Sequence, residues 1–389
     1  MTARYDAIVV GLGAMGSSAA FHLASRGQRV LGLEAFGRAH GLGSSGGLSR
    51  IIRLAYFEHP DYVPLLREAW RLWRELEAQS GEELLLQTGG LYIGQAGSEV
   101  LDGAIRSARE HGLPHEILDA AETMRRFPAF RLDPGIAALH EPMAGVLFPE
   151  RVIETHLRMA ERSGAEIHFD ERVSGWGPAP GREPAPGSAP ADGAIEVRTD
   201  HGTYFGDRLI LAAGAWLTQL VPDLGLPLSV ERNPLFWFQP VAPELFAPER
   251  LPVYLVDTGD ETFYGFPMLP GQGAKVARHH DGTPTDPDQL DREVHPADEA
   301  PVRRFLEHYL PDANGPTLDA RVCMYTNTPD SDFIIDLHPG DPRVVICSPC
   351  SGHGFKFSSV VGSIAADLAI DGTTKLPIEF LSLRRFRTA

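Results

Sequence analysis

The sequence predicts an α/β fold in which a Rossmann-like domain, marked by a GxGxxG motif, carries a second lobe built on a mostly antiparallel sheet. Three observations predict this fold. An apolar run near the start is followed at once by glycines and a helical pattern, residues 230–280 alternate apolar and polar side chains among many aromatics, and a late apolar run precedes a final helix. Unbroken apolar runs are typical of buried parallel strands, whereas alternation is typical of antiparallel strands.

The first unit is a complete strand, helix and strand, predicted at residues 5–10, 14–26 and 29–33. Gly11, Gly13 and Gly16 lie at the first turn, and Glu34 follows the second strand. Glycines leave room for a pyrophosphate, the helix N-terminus stabilises its charge, and the acidic residue accepts hydrogen bonds from ribose hydroxyls. The motif therefore predicts a dinucleotide site, and it does not choose between NAD and FAD.

The remaining elements follow from periodicity and from turn residues. A glycine- and serine-rich loop is predicted at 37–47, and an exposed loop at 174–194, which is almost pure Pro, Gly, Ala and Ser. The helix at 64–79 places Trp70 and Trp73 on one face with Leu66 and Leu76, which predicts a core position for both tryptophans. Further helices are predicted at 150–162 and 357–370, and further strands at 167–173, 195–198, 208–212 and 343–347.

Composition excludes several classes of partner. The chain has 389 residues, 43% of them hydrophobic, which is enough for a sizeable core. Its 35 basic and 52 acidic residues give a net charge of −17, which argues against binding to nucleic acid or to an anionic membrane. The apolar stretch at 7–25 suits a nucleotide-binding turn better than a membrane span. Three cysteines are too few for a disulfide framework, so we expect a cytoplasmic protein.

Two basic motifs predict anion sites. Arg50 and Arg53 are separated by two isoleucines, and on a helical turn they would point the same way. Lys356 follows Ser351-Gly352-His353-Gly354-Phe355 and is expected in the first turn of the last helix, where the dipole adds positive character. Because the chain has only three lysines, a chance surface position is a weak explanation for Lys356. A carboxylate or a reduced flavin would fit such sites.

At this point the chain resembles the monomeric sarcosine oxidase and N-methyltryptophan oxidase family of FAD-dependent amine oxidases, which are D-amino-acid-oxidase-like. The resemblance covers essentially the whole chain. The motifs that carry it are IVVGLGAMG, SRIIRLAY, GVLF at 145–148, YGFP at 264–267, CMYTNTPDSDFIIDLHP and SGHGFKFSS.

The resemblance implies a role for individual residues. Cys323 would carry FAD through a thioether, and Arg53 and Lys356 would bind the substrate carboxylate. Lys275 would activate oxygen. Arg50 would lie near the flavin, while Tyr264, His279 and Tyr325 would line the active site. The expected cofactor contacts are Gly11, Gly13, Gly16, Glu34, Ser44, Ser49, Arg50, Val173, Gly214, Cys323, Gly352, Gly354 and Lys356, and no metal is expected.

The resemblance also implies a reaction and a domain organisation. A secondary amine, sarcosine or a similar N-methyl amino acid, would be oxidised with O2 to an imine and H2O2 by a monomer. The imine would hydrolyse to glycine or the parent amino acid and formaldehyde. The FAD-binding domain is predicted at 1–85, 145–220 and 320–389, and the substrate domain at 86–144 and 221–319.

Some features depart from the family pattern or leave alternatives open. Before its RIIR motif the family usually has Gly-Ser-His-His-Gly-Asp-Thr, whereas residues 43–49 of this chain read GSSGGLS. Leu255 stands near a position at which sarcosine oxidases carry a methionine in the pocket. Cys347 and Cys350 form a CxxC that could be a redox pair, half a metal site or two structural thiols, and we favour the last. Alternative functions are the same chemistry on N-methyltryptophan, pipecolate, proline or a fructosyl amino acid, a flavin subunit of a dehydrogenase that does not use oxygen, and an NAD dehydrogenase.

Overall fold

Twenty strands and eight helices are present in the computed structural model, which describes residues 4–179, 193–280 and 282–386. The strands are β1 (Arg4–Val10), β2 (Val30–Leu33), β3 (Arg50–Ile52), β4 (Leu85–Gln87), β5 (Gly90–Gln95), β6 (Glu116–Asp119), β7 (Ile136–Glu141), β8 (Gly145–Leu147), β9 (Glu166–His168), β10 (Val173–Pro178), β11 (Ile195–Thr199), β12 (Thr203–Leu211), β13 (Ser229–Phe238), β14 (Val253–Asp257), β15 (Thr262–Gly265), β16 (Ala274–His279), β17 (Thr283–Pro284), β18 (Thr317–Asn327), β19 (Ile334–His338) and β20 (Asp341–Ser348). The helices are α1 (Ala14–Ser25), α2 (Tyr62–Ser80), α3 (Glu99–Glu110), α4 (Ala120–Arg126), α5 (Pro149–Arg162), α6 (Leu217–Leu220), α7 (Pro296–Tyr309) and α8 (Ser358–Asp371).

An eight-stranded sheet forms the nucleotide-binding part of the molecule. Its order is β10-β11-β12-β1-β2-β9, with β20 on β12 and β19 on β20. The contacts of β1 with β2 and β12, and of β12 with β20, are parallel, so these strands end at one edge. Helix α1 packs against α5 and α8, and a side chain at Gly362 would meet Ser18 on α1. The glycine therefore allows two helices to approach closely above the sheet.

A nine-stranded, mostly antiparallel sheet forms the second lobe. Its order is β17-β13-β16-β15-β14-β5-β7-β6, with β18 paired along β13, and the contact between β14 and β5 is parallel. Buried aromatic side chains such as Phe236, Phe238 and Phe263 form its own core with α7. The alternation at 230–280 thus corresponds to β13–β16, and the predicted fold class is confirmed.

A third, small sheet has the order β3-β8-β4, and its edge strand β3 carries Arg50. Arg50 is paired with Leu147 and Ile52 with Gly145. Arg50 is therefore in extended backbone, and the prediction of a helical turn for Arg50 and Arg53 is wrong. The predicted division into an FAD-binding domain and a substrate domain stays a proposal. Its boundary at residue 320 falls inside β18, and this strand pairs with β13 of the second lobe.

Three other expectations at the level of elements need correction. The strand at 167–173 is two strands, because Asp170 adopts a φ of +54° between β9 and β10. Residues 174–178 belong to β10 rather than to an exposed loop, while 180–192 lie outside the described residues. Lys356 precedes the last helix in a single 3-10 turn (Phe355–Phe357), and α8 begins at Ser358.

The buried imidazole of His156 makes the stability of the fold depend on pH. His156 on α5 is fully buried between the rings of Phe21 and Trp73, and neither ring nitrogen has a hydrogen-bond partner among the described residues. Burial lowers the pKa of His156 from 6.5 to about 3. The unfolded chain therefore binds a proton between these pH values that the folded chain does not bind. The stability that comes from neutral His156 is present above pH 6.5 and is lost as the pH falls toward 3.

We expect the His156→Leu variant to lose less stability than the wild type on acidification. The difference in free energy of unfolding, measured by urea denaturation at pH 7.5 and 5.0, should favour the variant by roughly 2 kcal/mol at the lower pH. His201→Leu, at a side chain that is 59% exposed, is the control. Equal pH slopes for the wild type and His156→Leu would contradict this account.

Candidate functional site

An elongated cavity runs from the first turn of the eight-stranded sheet to the face of the antiparallel sheet. Its wall combines the β1–α1 turn, the end of β2, the loop before β3 and residues of β13, β15, β16 and β18. Ser49, Lys275 and Gly16 do not line it. The predicted residues that do line it are Gly11, Gly13, Glu34, Ser44, Arg50, Arg53, Val173, Gly214, Tyr264, His279, Cys323, Tyr325, Gly352, Gly354 and Lys356.

One end of the cavity has the chemistry of a dinucleotide cradle. Gly11 has a φ of +84°, and a Cβ there would lie 2.6 Å from the carbonyl oxygen of Ala212. Glu34 is buried, and its Oε2 accepts a hydrogen bond from the amide of Leu12 at 2.7 Å. Gly16 lies behind the turn, where any side chain would collide with Gly11, so it allows close packing of α1 on β1.

The polar atoms along the cavity fit FAD. Thr326 Oγ1 and Ser348 Oγ are buried, line the cavity and have no hydrogen-bond partner among the described residues. At the first turn of α1, the amide of Ala14 donates to Ser45 Oγ at 3.2 Å. An elongated ligand with a charged pyrophosphate at the helix N-terminus and a polar ring system at the far end would satisfy these groups.

Arg53 is the most enclosed cation at the far end. It is 3% exposed, and its guanidinium lies 4.3 Å and 4.5 Å from the ring centroids of Tyr56 and Phe57. Its Nη2 contacts Glu58 Oε1 at 2.5 Å, while Nη1 has no partner among the described residues. Burial alone would lower the pKa of Arg53 and raise that of Glu58, but their mutual attraction outweighs burial and shifts both in the opposite direction. Both groups are therefore charged, and one guanidinium edge remains to bind an anion.

Lys356 supplies a second cation close to Arg53. It is 5% exposed, and its Nζ donates to the carbonyl oxygen of His353 at 2.6 Å. Burial, followed by the repulsion of Arg53, lowers the pKa of Lys356 well below its usual value. An anion bound beside the two groups would offset both effects and favour the ammonium form.

His353 supports this arrangement as a neutral ring. Its Nδ1 is hydrogen-bonded to the hydroxyl of Tyr56 and its Nε2 to the carbonyl oxygen of Ser331 at 3.0 Å. Burial lowers the pKa of His353 to about 3. The imidazole therefore adds no third positive charge beside Arg53 and Lys356.

Three rings form one wall of the same end. The ring centroid of His279 lies 6.0 Å from Tyr264 and 5.9 Å from Tyr325, and the two tyrosine hydroxyls are hydrogen-bonded. Burial, and then the neighbouring His280, lowers the pKa of His279 well below its usual value. Burial raises the pKa of both tyrosines. The wall is therefore neutral, and Leu255 adds an apolar side chain to the lining.

Cys323 and Arg50 meet between the two ends. Cys323 is a free thiol that is 5% exposed, and its Sγ lies 3.7 Å from Arg50 Nη2 and 3.6 Å from the carbonyl oxygen of Ser44. Arg50 donates to the carbonyl oxygens of Ser44 and Gly46 at 2.9 Å and 2.5 Å. The thiol therefore lies within contact of both a guanidinium group and a carbonyl oxygen.

Lys275 lies behind the loop that precedes β3. It is 2% exposed, and its Nζ donates to Gly47 O at 2.7 Å, to Ser49 O at 3.0 Å and to Ser49 Oγ at 3.2 Å. Burial, followed by Arg50, lowers its pKa well below the usual value. The three oxygen acceptors oppose that shift. Ser49 thus contacts Lys275 rather than the cavity.

Sequence reasoning missed the carboxylates around these cations. Glu58 contacts Arg53, Glu141 accepts hydrogen bonds from the amides that follow Arg53, and Glu150 accepts those of Gly47 and Leu48. The one available signal was Glu58, an acidic residue five positions after Arg53 in an aromatic stretch.

The CxxC cysteines are free, and both line the cavity. Burial raises the pKa of Cys347 to about 12 and also raises that of Cys350, which disfavours a reactive thiolate at either position. Among residues 4–179, 193–280 and 282–386, no cluster of three His, Cys, Asp or Glu residues could hold a metal ion. In the same part of the chain, no helix combines the length and the apolar character needed to cross a bilayer.

Comparison with known proteins gives consistent matches along the whole chain. Residues 6–368 match the family described as FAD dependent oxidoreductase (DAO). Monomeric sarcosine oxidase of Streptomyces avermitilis is 44% identical over an alignment of 396 residues that covers 100% of both chains. N-methyl-L-tryptophan oxidase of Yersinia pestis is 33% identical over 386 residues, covering 98% of this chain and 100% of that protein. The solved structure of NikD, an unusual amino acid oxidase essential for nikkomycin biosynthesis, is 26% identical with a TM-score of 0.84 and covers 98% of each chain.

The dinucleotide cradle, the buried cations at its far end and these full-length matches agree with one another. The chain therefore belongs to the family of FAD-dependent oxidoreductases that includes monomeric sarcosine oxidases and N-methyl-L-tryptophan oxidases.

Proposed function

We propose that this protein is an FAD-dependent amine oxidase that acts on a small N-methyl amino acid, with sarcosine as the first candidate. The observation that carries the proposal is the placement of Arg53 and Lys356. Both side chains line the cavity, Arg53 is paired with Glu58, and burial together with the repulsion of Arg53 disfavours the ammonium form of Lys356. A substrate carboxylate would pair with Arg53 and favour the charged form of Lys356.

The residues of the chain would bind and orient the substrate. Arg53 Nη1 and Lys356 Nζ hold the carboxylate, which fixes the N–CH bond relative to the cofactor. The neutral wall of Tyr264, His279 and Tyr325 accommodates the amine as its uncharged base, the form that can give up a hydride equivalent. FAD, which the β1–α1 turn and Glu34 would hold, would supply a two-electron oxidation of the N–CH bond and the reduction of O2 to H2O2. Water then hydrolyses the imine to formaldehyde and glycine.

The relatives also support a bulkier substrate as a second candidate. N-methyl-L-tryptophan oxidase shares 33% of its residues with this chain, and the lining at Leu255 is apolar. Comparison of kcat/KM over sarcosine, N-methyltryptophan, proline, pipecolate and a fructosyl amino acid distinguishes these candidates. Highest kcat/KM with sarcosine is the expected result.

We further propose that FAD is covalently attached through Cys323 and that the protein acts as a monomer in the cytoplasm. The position of Cys323 in the cavity wall, with its Sγ 3.7 Å from Arg50 Nη2, supports the thioether. Its formation would replace an S–H and a C–H bond by a C–S bond, and the two electrons and two protons released would pass to the flavin ring and then to O2. Two relatives, at 44% and 37% identity, carry the word monomeric in their names. All three cysteines are free, in keeping with a reducing compartment.

The covalent link is tested by acid precipitation and by intact mass under denaturing conditions. We expect yellow colour to stay with the wild-type polypeptide and the mass to include one FAD. Cys323→Ala should release the flavin into the supernatant, whereas Cys347→Ala, the matched control, should retain it. Release of flavin from the wild type would exclude the thioether while leaving FAD as cofactor.

The carboxylate site is tested by Lys356→Met, with Lys375→Met at an exposed lysine as the matched control. Loss of a charge-assisted hydrogen bond of about 1.5–3 kcal/mol should lower kcat/KM for sarcosine about 10- to 100-fold. The control should keep wild-type kinetics. A Lys356→Met enzyme with unchanged kcat/KM would remove Lys356 from the carboxylate site.

The oxygen step is tested by Lys275→Met in rapid-mixing experiments on the two half-reactions. A fixed cation lowers the free energy of the negative charge that develops on O2, so reoxidation should slow by about 10²-fold or more. Anaerobic reduction by sarcosine should keep its rate, because Lys275 does not line the cavity. Equal losses in both half-reactions would contradict the role of Lys275. Wild-type protein that is reduced by sarcosine but not reoxidised by O2 would instead indicate a dehydrogenase subunit.

A further inference from the structure

Two glutamates hold the backbone on either side of β3, the strand that begins with Arg50 and is followed by Arg53. Before the strand, the amides of Gly47 and Leu48 donate to Glu150 Oε1 at 2.9 Å and 3.1 Å. The second glutamate, Glu141, contacts the backbone after the strand. Neither glutamate lines the cavity.

The Glu150 contact fixes the turn that holds Lys275. Gly47 and Leu48 have φ angles of +108° and +67°, and a positive φ is unfavourable for leucine unless the surroundings impose it. The same turn accepts two hydrogen bonds from Lys275 Nζ through Gly47 O and Ser49 O. Any shift of the turn therefore moves the acceptors of this ammonium group.

The Glu141 contact fixes the backbone next to Arg53. Glu141 ends β7 and is 1% exposed. Its carboxylate accepts from the amides of Leu54 at 3.1 Å and Ala55 at 2.9 Å, and from the hydroxyl of Tyr92. The Tyr92 ring in turn lies 5.9 Å from the Arg53 guanidinium. Three donors on one buried group tie this turn to the antiparallel sheet, so the position of Arg53 depends on a second element.

We propose that Glu150 and Glu141 are positioning residues that serve different halves of the reaction, Glu150 through the turn that holds Lys275 and Glu141 through the backbone that follows Arg53. The inference rests on the proposed function, because it assigns the oxygen step to Lys275 and carboxylate binding to Arg53. The two contacts lie at opposite ends of a three-residue strand, and loss of one leaves the other in place.

The kinetic test uses Glu150→Ala and Glu141→Gln in the holoenzyme, with Glu154→Ala at a 46% exposed side chain on the same helix as Glu150 as the control. Alanine removes the one oxygen of Glu150 that accepts from both amides, whereas at Glu141, where both oxygens accept, the NH2 group of glutamine opposes one donor. Glu141→Gln should raise KM for sarcosine about 10-fold with the reoxidation rate unchanged. Glu150→Ala should slow reoxidation by O2 about 10-fold with KM for sarcosine unchanged. Equal effects of both variants on both half-reactions would overturn the proposal.

Amide hydrogen exchange provides a measurement that does not depend on activity. Exchange should increase at Gly47 and Leu48 in Glu150→Ala, and at Leu54 and Ala55 in Glu141→Gln, and neither variant should change exchange at the other pair. Unchanged exchange in both variants would refute the contacts themselves. If the wild type oxidises no N-methyl amino acid, the proposed function fails, and the exchange data still decide whether the glutamates hold β3. Tyr92→Phe removes one donor to Glu141 and replaces Glu141→Gln if that variant does not fold.

Discussion

The site depends on the burial of positive charge that the protein does not fully neutralise. Arg50, Arg53, Lys275 and Lys356 converge on one region, and the last three are 2–5% exposed. A buried cation without an anion is costly, so each is given acceptors: Glu58 for Arg53, and carbonyl oxygens for both lysines. Carbonyl dipoles lower that cost without cancelling the charge. An anionic ligand would offset the mutual repulsion of these groups and favour their charged forms.

The two large sheets are needed because these groups come from distant parts of the chain. Cys323 lies on β18 opposite Asn233 of β13, whereas Lys275 lies on β16, the other neighbour of β13. The cofactor cradle belongs instead to the β1–α1 turn. Only the joining of the parallel and antiparallel sheets brings a nucleotide site within reach of a substrate wall. The short strand β3 begins with Arg50 and is followed by Arg53, and both arginines line the cavity.

Local sequence patterns predicted the glycine turn between β1 and α1 and the position of Glu34 after β2. The glycine turn and Glu34 form one contiguous unit, and the Glu34–Leu12 hydrogen bond spans 22 residues that include a single helix. The residues at the other end of the cavity were predicted only from the resemblance to a known family, because no periodicity in the sequence indicates that Lys356 lies near Arg53. The single strand predicted at 167–173 is two strands, β9 and β10, because Asp170 between them adopts a left-handed conformation that no local composition signal marks.

The carboxylates Glu141 and Glu150 could not be predicted for a different reason. Apart from the Tyr92 hydroxyl that donates to Glu141, their partners are backbone amides that lie 86 to 103 residues away. Every residue except proline has a backbone N–H group, so a hydrogen bond to that group requires no particular residue type and leaves no pattern in a single sequence. Glu58 is the exception because its partner Arg53 is a side chain five residues away.

The charge distribution also bears on which carboxylic acids can enter. The chain carries a net charge of −17, so an anion approaching from solution is repelled at long range, although salt screens this effect beyond about 10 Å. An amino acid with a secondary amine is a zwitterion in water and has no net charge to repel. Inside the cavity, the proposed carboxylate site of Arg53 and Lys356 would act at short range in a poorly screened environment, while the neutral rings of Tyr264, His279 and Tyr325 would offer no charge to retain the ammonium form. The surface and the site therefore favour the same class of molecule: one that arrives as a zwitterion and binds through its carboxylate with the amine deprotonated.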